Sequence, residues 1–175
     1  KGDPQGRGVK FASLNERYEK SEDAFRDIAL SRKERKAIAK ERKRAAKARE
    51  GEDRKRVFVV AFNGDMGASA VNRLAAEISA VLSVARPGVD ELVAKIHSPG
   101  GSVTGYGLAA AELLRAGERG VDVTACVDEV AASGGYMMAC GAKKIIAAPF
   151  AVVGSIGVIA QAPNFNRLLK KNAID

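Results

Sequence analysis

The scarcities in this chain each close a line of chemistry. There is one histidine, His97, and there are two cysteines, Cys126 and Cys140, at a spacing that matches no metal-ligand pattern. That is too few donors for a zinc site, and no metal is expected. No apolar run reaches the roughly 18 residues that a membrane-spanning helix needs. The nearest, residues 145–160, is broken by Pro149, Gly154, Ser155 and Gly157 and reads as buried strands with turns. No G-x-G-x-x-G follows the first strand-like run and no G-x-x-x-x-G-K-[ST] occurs, so neither a nucleotide site nor any other cofactor is expected. Internal repeats are absent. The chain opens on Lys1-Gly2-Asp3-Pro4 without a signal-peptide pattern, as a processed product would.

What is present is a chain of 175 residues, enough for one core plus extensions. Its net charge of +8 invites a nucleic-acid reading until it is divided along the sequence. Residues 1–31 hold six basic and six acidic side chains, and residues 57–175 hold ten of each. The whole excess lies in 32–56, with thirteen Lys/Arg against five Asp/Glu. Basicity therefore belongs to an appendage. That stretch contains no aromatic side chain for base stacking, so no nucleic-acid partner is expected.

The first ten residues are Gly-rich and polar, as a disordered lead would be. Phe11, Leu14, Tyr18, Phe25 and Ile28 then recur at helical spacing, with Ser21 in the one missing position. This predicts a short amphipathic helix whose seam suits a partner helix. Residues 32–49 should be helical by propensity and solvated on every side. Composition switches at Arg56, and the domain boundary is placed there: 1–56 is an arm and 57–175 a folded domain.

Within the domain, 57–62 is a continuous apolar run of the type buried on both faces of a parallel sheet. Ser69 should cap a helix reaching about residue 85. Strands are expected at 91–97, 121–127 and 144–148, and helices at about 103–116, from Gly134 onward and at 165–171. The two cysteines fall in apolar segments and read as buried free thiols. The alternation of strands and helices specifies an α/β layered domain.

In such a domain, sites form at the carboxyl ends of the strands. Three glycine-bearing loops lie there: Asn63-Gly64-Asp65, Ser98-Pro99-Gly100-Gly101 and Ala132-Ser133-Gly134-Gly135. Ser133 sits where a strand turns into a helix. Small neighbours let a substrate backbone approach, and the first N–H groups of the helix lack partners within it. A serine nucleophile is presented in this way, but so is an ordinary helix N-cap, which on this stretch alone is the commoner case. A free N–H from the Pro-Gly-Gly loop, paired with that of Gly134, would form an oxyanion hole. Candidates for a general base are poor. His97 more often packs than catalyses in such a position. Lys143 and Lys144 follow Ser133 by ten and eleven residues, roughly 15 Å along a helix. Asp128 and Glu129 read as turn residues.

Three segments together, in order and spacing, carry a resemblance. They are Ser98-Pro-Gly-Gly-Ser, Val130-Ala-Ala-Ser-Gly-Gly-Tyr-Met-Met-Ala, and Ala148-Pro-Phe-Ala-Val-Val-Gly-Ser-Ile-Gly-Val. With them the chain resembles the signal peptide peptidase A family of bacterial serine proteases. Pro163-Asn-Phe-Asn-Arg-Leu-Leu-Lys-Lys and the charged arm narrow the likeness to its short, single-domain, inner-membrane branch. The resemblance implies a ClpP/crotonase-like spiral of βαβ units and a Ser–Lys dyad. By motif, Ser133 is the nucleophile, Gly101 and Gly134 supply the oxyanion N–H groups, and Ser155 orients the lysine. It further implies peptide substrates such as signal-peptide remnants or unfolded membrane-derived peptides. A homo-oligomer is implied too, as is an inner-membrane location through an anchor outside these residues, with the catalytic domain on the periplasmic side. The basic arm by itself would favour the cytoplasmic face.

One departure limits this. The family's lysine lies farther from its nucleophile than the 42 residues between Ser133 and Asp175, and Lys170 and Lys171 lack its sequence context. The base is therefore expected beyond Asp175, and this chain by itself is expected to be inactive. The rival reading is an inactive protease-like scaffold that assembles partners, or binds anionic lipid, through its basic arm.

Overall fold

The computed structural model describes residues 9–48, 51, 53–160, 167, 171 and 172. It divides into two compact units, Lys1–Arg56 and Val57–Asp175. In the first unit, α1 (Leu14–Ala29) starts where the Ser13 hydroxyl accepts the Glu16 N–H at 3.2 Å. The next helix, α2 (Arg32–Ala48), opens on a reciprocal box: the Ser31 N–H reaches Glu34 at 2.9 Å, and the Glu34 N–H reaches the Ser31 hydroxyl at 3.4 Å. The Ser31 hydroxyl, donating to the Glu34 carboxylate at 2.6 Å, and then the Ser31 N–H hold that carboxyl below the ordinary carboxylate range. Ion pairs tie the two helices, Arg42 to Glu22 at 2.6 Å and to Asp23 at 2.8 Å, and Arg35 to Asp27. Neither helix buries a residue, and Phe11, Tyr18, Phe25 and Ile28 stand exposed along the seam.

The second unit runs β1 (Val57–Asn63), α3 (Val71–Leu82), β2 (Glu91–His97), α4 (Val103–Glu118), β3 (Asp122–Val127), β4 (Val130–Ala132), α5 (Gly134–Cys140), β5 (Lys144–Ala147) and β6 (Val152–Gly154). Four strands form a parallel sheet in the order β1-β2-β3-β5, and β4 pairs with β6 in a second, two-stranded parallel sheet. The register sets Val57 opposite Glu91 and Glu91 opposite Asp122. Val60, Phe62, Leu92, Ala94, Ile96, Val123, Ala125 and Val127 consequently share one face, and all are buried. Against this face α3 brings Leu74, Ile78 and Val81, and α4 brings Tyr106, Ala109 and Leu113. The Phe62 and Tyr106 rings meet edge to face, 5.9 Å between centroids.

Four expectations need correction. The run 57–62 is not buried on both faces: Val57 and Val59 are 53% and 40% exposed. β1 is an edge strand, and its burial alternates because helices cover one side. Ser69 does not cap α3. Its N–H, at 2.9 Å, and its hydroxyl both donate to the Asp65 carboxylate, and Ala70, not Ser69, precedes the helix, without a side-chain cap. These bonds hold the Asp65 carboxyl below its ordinary range. Residues 145–160 do form strands at β5 and β6, but Ile145, Ile146, Phe150, Val152, Ile156, Val158 and Ile159 are exposed rather than buried. Finally, the cysteines are not both buried: Cys126 is half-buried and Cys140 exposed. Of the helix expected at 165–171, only Arg167 and Lys171 lie among the described residues, both helical and exposed.

Two glycines separate packing from propensity. A Cβ at Gly64 would stand 2.2 Å from the Ser98 hydroxyl and 2.3 Å from the Tyr106 hydroxyl, while one at Gly107, inside α4, would meet nothing within 4 Å. Gly64→Ala should lower stability by about 2–4 kcal/mol, and Gly107→Ala should raise it by about 0.5–1 kcal/mol. Urea-unfolding midpoints of the two variants check both signs.

Candidate active site

The strand ends place the three glycine loops together. β1 leaves through Gly64, whose N–H bonds the His97 carbonyl at 2.9 Å. β2 leaves through Ser98, whose N–H bonds the Val130 carbonyl at 2.9 Å and whose carbonyl accepts the Ala132 N–H at 3.0 Å. The second loop is thereby stitched to β4, directly before Ser133. Beneath them lies Tyr106, fully buried, its hydroxyl 2.5 Å from that of Ser98 and 2.9 Å from the Asp65 carbonyl.

Small residues are required by this crowding. A Cβ at Gly100 would stand 2.7 Å from the Ser133 Cβ and 2.9 Å from the Gly134 nitrogen. One at Gly134 would stand 2.4 Å from the Tyr106 ring, and one at Gly135 would stand 2.8 Å from the Ser98 carbonyl oxygen. The Pro-Gly-Gly loop and the Ser-Gly-Gly turn therefore touch backbone to backbone. Gly100 also has φ of +93°, a conformation natural only to glycine.

Ser133 is not an ordinary cap. Its φ of 51° and ψ of −117° lie outside the regions that L-residues favour, and its side chain makes no capping bond to α5. Such a backbone costs about 1–3 kcal/mol and persists only where the surroundings hold it. Here the Ser133 N–H donates to the Gly154 carbonyl at 2.9 Å, and its carbonyl accepts from Met137 at 2.9 Å. The first of these bonds extends the β4–β6 ladder, in which Ala132 faces Gly154. The residues that follow, Ser133 and Ser155, leave paired strands side by side, and both have positive φ, 51° and 62°.

Gly100, Gly101 and Gly134 line the same groove as Ser133. The Gly100 N–H is already used, donating to the Ser98 hydroxyl at 3.1 Å. Those of Gly101 and Gly134 have no acceptor among the described residues. The neighbouring groove has a volume of about 890 Å³, and Met66, Val103, Met137, Ile156, Val158 and Ile159 give it apolar walls. Among the described lining residues, the titratable side chains are Tyr136 and Cys140. The Cys140 thiol raises the Tyr136 hydroxyl above its ordinary range.

None of the base candidates among the described residues lines this groove. His97 lies on the exposed face of β2, its Nδ1 3.8 Å from Glu129. Lys143 pairs with Asp122 at 2.7 Å, and Lys144 opens β5 opposite Thr124, at the far ends of the strands. Asp128 pairs with Lys95 at 3.0 Å. Lys170 lies outside the described residues, and Lys171 is exposed. The structure thus brings together Ser133, Ser155, Gly101 and Gly134, and supplies no lysine among the described lining residues.

Comparison with known proteins fixes the family. The model of the peptidase family S49 N-terminal region matches residues 1–113, and that of peptidase family S49 matches residues 115–175. The chain belongs to peptidase family S49. Among S49 relatives, "Probable protease SohB" of Haemophilus influenzae is 45% identical over 181 residues, covering 95% of this chain and 51% of its own length. The protein of the same name from Buchnera aphidicola subsp. Schlechtendalia chinensis is 53% identical over 119 residues, covering 68% of this chain and 39% of its own. The chain spans about half or less of the length of these S49 relatives. A malonate decarboxylase hetero-tetramer from Pseudomonas, solved with coenzyme A, superimposes with a TM-score of 0.50 at 17% identity, covering 70% of this chain and 54% of that one. That likeness speaks to the fold alone, which is ClpP/crotonase-like.

The cysteines provide a check on the groove of this S49 chain. Burial raises the Cys126 thiol above its ordinary range, whereas Cys140 opens into the groove. Iodoacetamide at mildly alkaline pH should alkylate Cys140 about tenfold faster than Cys126, because the thiolate is the reacting form and must be accessible. Peptide mapping by mass spectrometry reads the ratio.

Proposed function

We propose that the intact protein is a serine endopeptidase in which Ser133 is the nucleophile and a lysine beyond Asp175 is the general base. The observation that carries this is Ser133 itself. It is held at positive φ, free of any capping bond, beside Ser155 and in a groove shared with two backbone N–H groups that have no acceptor among the described residues.

The chemistry follows from those groups. A lysine kept neutral by burial takes the proton from Ser133 Oγ as that oxygen bonds the scissile carbonyl carbon. The N–H groups of Gly101 and Gly134 receive the oxyanion, and each such donor is typically worth about 10²–10³ in rate. The lysine then returns the proton to the leaving amine as the C–N bond breaks. Water repeats the sequence on the acyl-enzyme and releases the acid. Ser155, leaving β6 beside Ser133, would accept from or donate to the lysine Nζ and hold it in line.

The apolar groove suits an extended peptide with apolar side chains, added as a strand along its wall. We assign it signal-peptide remnants or unfolded membrane-derived peptides. The protein would act as a homo-oligomer at the bacterial inner membrane, with its catalytic domain on the periplasmic side. No helix among the described residues is long and apolar enough to cross a membrane, so in this reading the anchor belongs to the remainder of the protein.

A fluorophosphonate probe tests the assignment in the full-length protein. The wild type should be labelled, and Ser133→Ala should lose both label and peptidase activity; labelling that persists in Ser133→Ala contradicts the assignment. Ser155→Ala should lower kcat by about 100-fold while leaving the label site unchanged. Residues 1–175 alone should cleave no peptide substrate, measured by release of a fluorogenic leaving group.

A further inference from the structure

Ser98 and Tyr106 take no part in the mechanism above, yet their hydroxyls are buried together under it. We propose that these two are positioning residues, which decide which N–H of the Pro99–Gly101 loop faces the scissile carbonyl. The inference rests on the reading of Ser133 as nucleophile.

Proton counting makes the arrangement unique. The Tyr106 hydroxyl has one proton, which it donates to the Asp65 carbonyl at 2.9 Å. The Ser98 hydroxyl, 2.5 Å away, must then donate to Tyr106. Its lone pairs are left to accept the Gly100 N–H at 3.1 Å. A one-way chain results, from the Gly100 N–H through Ser98 and Tyr106 to the Asp65 carbonyl. Each donor in it is used, so no rotation of a hydroxyl is free of cost.

This chain has a consequence at the reacting centre. Fixing the Gly100 N–H on a buried oxygen fixes the Pro99–Gly100 peptide plane and keeps that N–H out of the groove. Gly101 is then the member of the pair whose N–H has no acceptor among the described residues. The same tyrosine locates the other donor, because Gly134 rests on its ring with no room for a Cβ. Two donors from loops distant in sequence are thus referenced to one side chain. Without the Ser98 hydroxyl the Gly100 N–H loses its acceptor, the plane can turn, and two N–H groups compete for the site.

The test uses the full-length protein with Ser98→Ala, Tyr106→Phe and the double variant, and Ser133→Ala as reference. Measured are kcat, KM, and the affinities of a peptide boronate, which mimics the tetrahedral adduct, and of an unreactive product peptide. Each single variant should lower kcat by about 10–100-fold and weaken the boronate by a matching factor. KM and product affinity should stay within about twofold. The double variant should be no worse than the poorer single, since one chain is broken once. An unchanged kcat in folded variants overturns the inference, as does a parallel loss of boronate and product affinity, which packing alone would give. Should Ser98→Ala not fold, Tyr106→Phe decides by the same criteria. Turnover surviving in Ser133→Ala would instead overturn the nucleophile assignment and this inference with it.

Discussion

The folded domain depends on how tightly backbone can be packed around one buried tyrosine. Tyr106 projects from α4 into the space where β1, β2 and β4 end, and its hydroxyl joins the first two loops through Asp65 and Ser98. Its ring carries the third loop at Gly134. None of Gly64, Gly134 and Gly135 can accept a Cβ without meeting this pair of residues. Burying two hydroxyls is costly unless both are satisfied. Here each finds its partners in a loop that has to be held, so satisfying the polar groups and assembling the site are one event.

On that platform Ser133, the proposed nucleophile, is strained rather than relaxed. The β4–β6 ladder fixes Ser133 from one side through the Gly154 carbonyl, and α5 fixes it from the other through Met137. Both ties are backbone bonds, which leaves the hydroxyl unspent. The groove beside it is apolar and among its described lining residues carries no carboxylate, histidine or lysine. Such surroundings raise the cost of a charged lysine and so would favour the neutral base that the proposed reaction needs.

Much of this was legible in the sequence, for reasons that differ from element to element. β2 falls where its alternating pattern places it, because a buried face and turn residues bound it on both sides. The three loops were visible as glycine clusters after strand-like runs. β4 was not, since a three-residue strand carries no periodicity and exists by virtue of pairing with β6, itself read only as part of a longer apolar run. The choice between Gly100 and Gly101 could not be made from the loop sequence, because Ser98, whose hydroxyl accepts the Gly100 N–H, reads locally as part of a turn. Tyr106 gave no signal beyond an apolar position on a helix. Cys140 misled in the opposite sense: an apolar helix was read as a buried one, although one side of α5 is open to the groove.

Ser133 is the centre of the account, and a crystal structure of the full-length protein with a peptide aldehyde interrogates it most directly. The account predicts a bond from Ser133 Oγ to the aldehyde carbon. The adduct oxygen should lie about 3 Å from the nitrogens of Gly101 and Gly134, with the Gly100 N–H still on Ser98. An adduct on another side chain, or an oxygen turned away from both glycines, would contradict it.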